Sequence, residues 1–167
     1  SIGGLFLGSG GNINGLSISG LITMAENEKS VISGIAISGI GIFAGKAING
    51  LAIGGLGVGS NENIMGLGIG GLGVGTDGNI TGIASSLACI FCKKNFQGIA
   101  VTGGYLKSEM FQGVAIAGYA KTNQMYGLSI ALYNRTKELH GVQLGLLNYA
   151  ENNPRGFRML PFLNLHF

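Results

Sequence analysis

The chain has 167 residues, 33 of them glycine and only 2 proline, with charged residues at 10% and a net charge of +3. An apolar share of 46% with so few charges excludes a disordered chain, and the absence of a Gly-X-Y period excludes collagen. No basic run, RNA-binding aromatic motif or apolar stretch of transmembrane-helix length is present, which sets aside nucleic acid and helical membrane proteins.

In chain order, the first segment is "SIGGLFLG" from Ser1, which matches "AIGGLGVG" in the middle of a later repeat. The chain therefore reads as opening mid-repeat, with Ser1 at a cut point, and a targeting segment cannot be judged from it. From there, glycine followed by apolar, any, apolar recurs at Gly15, Gly34, Gly50, Gly66, Gly98, Gly113, Gly127, Gly141 and Gly156, with the variant "GIAS" at Gly82. The spacing is 19, then 16 four times, then 15, 14, 14 and 15. So short a period cannot hold a helical hairpin. It fits one coil of a β-solenoid or one strand and turn of a barrel.

Within "NIMGLGIGGLGVG" the branched residues Leu67 and Ile69 are two apart, as are Leu72 and Val74, with three between the pairs. Side chains two apart share one face of a strand. A corner at Gly70-Gly71 and another near Asn63 to Gly66 would bring all four to one side, and glycine suits such corners. The expectation is that Leu67, Ile69, Leu72 and Val74, with Leu51, Ile53, Leu56 and Val58, point into one interior. The outer faces would then carry Gly, Ala, Ser and Thr. Apart from Arg158 in the last copy, charges fall in the connecting stretches, which would set them along one edge. The fold predicted is all-β: a solenoid of about ten 14–16-residue coils over residues 1–155, with a capping segment over 156–167. The alternative is an outer-membrane β-barrel with one strand per repeat. Against it, barrels alternate short turns with long loops and keep a polar interior.

The later repeats, "GLSIALYNRTKELH" and "GVQLGLLNYAENNPR", are shorter and carry Asn134 and Asn148 at one offset; Tyr105, Tyr119 and Tyr133 share another. Stacked asparagines and aromatics are ladder features of coiled β structures. The last segment breaks the repeat between Pro154 and Pro161 and adds Phe157, Phe162 and Phe167. These aromatics are expected to cover the last coil. The "SIGGLGVG"-like repeats, "GVQLGLLNYAENNPRG" and the ending "LPFLNLHF" resemble a family of bacterial surface repeat-containing proteins. Those have G-apolar-x-I-G-L-x-N repeats and a Leu-Pro-x-x-Asn-x-x-Phe tail. The resemblance implies export to a bacterial surface and implies no reaction.

No motif carries chemistry. "GIGGLG", through Gly68, Gly70 and Gly73, satisfies G-x-G-x-x-G but lacks the helix a dinucleotide site needs. Cys89 and Cys92 form "CIFC", read as a packed or locally disulfide-bonded pair; only His140 and His166 could add nitrogens for zinc. Glu62 and Asp77, 15 apart, could align on stacked coils as a carboxylate pair. No catalytic, cofactor-binding or metal-binding residue is therefore assigned, no cofactor is expected, and the chain is read as non-enzymatic. The expected role is structural or interactive, at the cell surface, the outer membrane or in the secreted space. The partners expected are a second copy, through the N-terminal strand edge or the small-residue faces, a membrane, or other surface proteins. An ice-binding solenoid is a further reading, weakened because Thr23, Thr76, Thr81, Thr102, Thr122 and Thr136 share no single offset.

Overall fold

A computed structural model describes residues 2–166; Ser1 and Phe167 lie outside the described residues, and with Phe167 part of the expected aromatic cap. The fold is an all-β solenoid, 77% strand and, among the described residues, without helix. In chain order the strands are β1 (Ile2–Gly3), β2 (Phe6–Ser9), β3 (Ile13–Ser19), β4 (Ile22–Ala25), β5 (Val31–Ser38), β6 (Gly41–Ala44), β7 (Ala47–Gly54), β8 (Gly57–Ser60), β9 (Asn63–Gly70), β10 (Gly73–Thr76), β11 (Asn79–Ser86), β12 (Cys89–Cys92), β13 (Asn95–Thr102), β14 (Tyr105–Ala150) and β15 (Met159–His166). The odd-numbered strands β1 to β13 form one parallel ladder and the even-numbered strands β2 to β12 another, and both run into β14. Parallel pairing between successive repeats rules out the barrel alternative, whose neighbouring strands would be antiparallel.

About seven turns are distinct, against the ten expected. The difference arises after Tyr105. The Gly-Gly bends of the earlier coils are absent there, and the chain runs on as the single strand β14. Stacking nevertheless continues at a 14-residue step, as the Thr122–Thr136 (3.1 Å) and Asn134–Asn148 (2.8 Å) hydrogen bonds show.

Each complete coil has three short sides. In the coil beginning at Asn63, the first side is 63–65, the second 67–70 and the third 73–76. Gly66, with φ 117°, turns the first corner, and bends at 71–72 and 77–78 turn the others. Gly66 belongs to a column of nine glycines from Gly15 to Gly141, all with positive φ. A Cβ at Gly66 would overlap the carbonyl oxygen of Gly50 in the coil below. The column therefore needs glycine for both its backbone angle and its spacing.

The interior inverts the expectation from sequence. Val74 and Val58 point inward and are buried, at 1% and 3% exposure. Leu67, Ile69, Leu51 and Ile53 instead flank inward-facing, buried Gly68, Gly70, Ala52 and Gly54, and so lie on the outside; Leu72 is 55% exposed and Leu56 50%. The core is built from other columns. Ile13, Ile32, Ile48, Ile64, Ile80, Phe96 and Phe111 stand in register on the first side, with Phe96 and Phe111 stacked at 4.8 Å. Small residues fill the second side, and Val58, Val74 and Ile90 the third. The reason is room: a Cβ on Gly68 would already sit 3.3 Å from Val74 Cγ1. Sides of three or four residues cannot enclose four branched side chains per coil.

Many polar interior positions pair in ladders, although Ser17 Oγ, Ser30 Oγ and Gln143 Oε1 are buried without a hydrogen-bond partner. Ser60–Thr76, Ser86–Thr102 and Thr122–Thr136 pair hydroxyls at 3.1 Å. With Thr23 these threonines are buried, and Thr81 alone of the six is exposed, so no outward threonine row forms. At the C-terminal end β15 pairs antiparallel with β14. The register slips opposite Pro161, which has no N–H to give the ladder. Phe157 and Phe162 do not cover the core, being 62% and 73% exposed. Asparagines close that end: Asn164 donates to the Asn148 carbonyl at 3.4 Å and accepts from Asn153 Nδ2 at 2.7 Å.

Candidate functional site: an aliphatic outer face

The second side of every coil presents the same surface. Its first outward column, the residue after each stacked glycine, is Leu16, Ile35, Leu51, Leu67, Ile83, Ile99 and Val114 in register, continued by Leu128 and Val142 in β14. The second column is Ile2, Ile18, Ile37, Ile53, Ile69, Ser85, Val101 and Ile116, continued by Ile130 and Leu144. The antiparallel β15 extends both, setting Leu165 beside Val142 and Leu163 beside Leu144. Corner leucines Leu56, Leu72 and Leu87 widen the surface.

No charged or aromatic residue stands in either column. Ten rungs at roughly 4.8 Å give a length of about 45 Å, and four residues across give about 13 Å, so the sheet spans on the order of 600 Å². That reaches the top of the range for apolar patches on monomers before the corner leucines are added. The neighbouring outward column on the first side is mostly polar and uncharged: Asn14, Ser33, Asn49, Met65, Thr81, Gln97 and Gln112 in register, then Tyr126 and His140, stacked at 4.8 Å. The charges lie away from this face, at the corner joining the third and first sides and on the third side itself.

The residues singled out from sequence do not converge. Cys89 is exposed and Cys92 buried, both as free thiols, on alternate sides of β12; a bridge between them would require rebuilding the strand. Burial pushes the Cys92 thiol above its ordinary value. Glu62 and Asp77 are one residue out of register: Asn63 pairs with Asn79, which sets Gly78 over Glu62. Asp77 instead pairs with Lys93 at 2.8 Å on the surface. Gly68 and Gly70 of the G-x-G-x-x-G match face the packed interior, where no phosphate can enter. His140 and His166 come together edge to face at 6.0 Å, with His166 Nδ1 2.6 Å from Asn153 Oδ1. Among the described residues, no three His, Cys, Asp or Glu side chains gather as a metal set would.

The aliphatic face escaped the sequence reading, although its signal was present. The pair Leu-x-Ile recurs after each glycine, but period two alone does not say which side of a strand is inward. Fold and face together define an amphipathic parallel β-solenoid. Compared with known proteins, the chain matches no family model, no curated protein and no solved structure.

Proposed function

We propose that this is a non-enzymatic structural protein that assembles through its aliphatic face, two copies packing sheet against sheet. On the resemblance of its repeats, it works at a bacterial surface or in the secreted space. The observation that carries the reading is the double column of Leu, Ile and Val along one side of the rod, broken by Ser85 alone. Water-exposed surface of that kind gains roughly 25 cal/mol per Å² when covered. Two such faces would bury on the order of 1,200 Å² together, enough for a specific interface. Parallel sheets pack well face to face at about 10 Å.

A second copy fits this face better than lipid does. Lipid-binding faces are flanked by Lys, Arg, Trp and Tyr. The sequence has no tryptophan, and the flanking column carries Asn, Ser, Thr and Gln over most of its length, as the polar rim of a protein interface does. The charged corner points away from the contact, so two copies of net charge +3 meet without close repulsion. Sedimentation equilibrium tests this. The parent chain should sediment as a dimer, and the double variant Leu51→Lys/Leu67→Lys as a folded monomer. A monomeric parent that floats with phosphatidylcholine–phosphatidylglycerol vesicles would replace the dimer with a lipid surface.

A further inference from the structure

The third side carries a second feature, on a different face. Its outward positions are glycine-rich in the early coils, with Gly57, Gly59, Gly73 and Gly75 in register, and change character after Cys89. One column becomes Tyr105, Tyr119 and Tyr133, stacked at 5.3 and 5.1 Å. The adjacent column becomes Phe91, in register with Lys107, then Lys121, Arg135 and Tyr149 at the 14-residue step. Lys107 Nζ lies 5.1 Å from the Phe91 ring centre and Arg135 Cζ 5.9 Å from that of Tyr149. The row is thus three cations on successive rungs, closed at each end by an aromatic ring. A shallow groove of about 320 Å³ runs beside it, lined in part by Lys107, Ser108, Lys121 and Thr122.

Stability does not account for this row. Like charges directly opposite on neighbouring strands destabilise a sheet. At the corner beyond, three residues further along the chain, Gln124 Nε2 donates to Glu138 Oε2 at 2.8 Å, a pairing without repulsion. Among the described residues the ion pair is Lys93–Asp77, so no carboxylate lies within ion-pair distance of Lys107, Lys121 or Arg135. Glu109 stands two residues beyond Lys107 at the rim, too little to neutralise the row together with Lys137. An external anion with one charge per rung would relieve the repulsion.

We propose that Lys107, Lys121 and Arg135, with the tyrosine column beside them, form a binding strip for a linear acidic polysaccharide lying along the rod. A uronate or sulfated chain offers a regular row of anionic groups to the three cations. The phenol hydroxyls of Tyr105, Tyr119 and Tyr133 are donors to the same groups or to sugar hydroxyls. Burial and the neighbouring Tyr119 hold the Tyr105 phenol above its ordinary value, so it remains a donor at neutral pH. Single-stranded nucleic acid fits less well. It binds by stacking bases on free aromatic faces, and here the tyrosine faces are occupied by one another.

The test is isothermal titration of the full chain with polygalacturonate, dextran sulfate, neutral dextran and poly(dT). The parent should bind one or both acidic polysaccharides, more weakly as salt rises, and should not bind neutral dextran. The triple variant Lys107→Gln/Lys121→Gln/Arg135→Gln should lose about tenfold or more in affinity. It should keep its β spectrum and melt no lower than the parent, since a repulsive column has been removed. Tyr119→Phe should weaken binding with the cations intact. The proposal is overturned if neither acidic polysaccharide binds, if the triple variant binds as tightly as the parent, or if poly(dT) binds more tightly than both.

Discussion

Gly66→Val is expected to abolish the cooperative fold. Gly66 sits at φ 117°, outside the regions a β-branched residue adopts. The new Cβ would also be driven into the carbonyl oxygen of Gly50. That oxygen belongs to the backbone of the coil below and cannot swing aside as a side chain would. Moving it apart opens the parallel ladder on both sides of the substitution. Backbone strain and lost ladder bonds together should exceed about 4 kcal/mol, the range reserved for a few severe mechanisms. Gly11 is the internal comparison. A Cβ there meets nothing within 4 Å, so Gly11→Ala should change stability by no more than about 0.5 kcal/mol. Urea unfolding followed by circular dichroism reads both. A Gly66→Val protein that melts with the parent midpoint would mean the glycine column is not the packing constraint it is taken to be.

The second large effect is a contrast between two isoleucines five residues apart. Ile64 is 1% exposed in the interior column, and Ile64→Asp should yield no folded protein, because an unpaired charge there has no water and no partner. Ile69 stands on the outer face between buried Gly68 and Gly70. Ile69→Asp should cost only about 1 kcal/mol, within the span of strand substitutions, and keep the β spectrum, but should prevent dimerisation by placing a carboxylate in the aliphatic face. The reverse pattern, with Ile69→Asp unfolded and Ile64→Asp tolerated, would show that the strand has been read inside out.

These two residues also mark how far the sequence could be read. The glycine spacing of 14 to 16, the absence of helix periodicity and core segments almost free of charge were enough to identify stacked short coils. The positions of Asn134, Asn148 and the tyrosines foretold ladders, which the 2.8 Å asparagine bond and the ring stacks realise. Which face was inward was not legible. Large apolar residues are normally the buried ones, so Leu67 and Ile69 were assigned to the core. Deciding otherwise requires knowing that Gly68 and Gly70, between the corners at Gly66 and 71–72, are the inward positions because the enclosed space is too narrow for leucine. The cation row was hidden for a similar reason. Lys107, Lys121 and Arg135 are 14 residues apart in sequence and form no basic run; only the shortened period brings them onto neighbouring rungs. The closing of the C-terminal end by asparagines was missed because Phe157 and Phe162 looked better suited to cover a core, yet both face outward.

Assembly through the aliphatic face is the central claim, and a single engineered cysteine tests it most directly. Ile83 is the fifth of the nine residues that follow the stacked glycines, near the middle of the face. A face-to-face dimer has its two-fold axis in the plane of contact, and an axis through the centre brings Ile83 close to its own copy whichever way the rods run. In a Cys89→Ser/Cys92→Ser background, Ile83→Cys should form a disulfide-linked dimer rapidly under mild oxidation. Thr81→Cys, exposed on the first side, should not. Equal, slow cross-linking at both positions, in a chain that sediments as a monomer, would contradict the account.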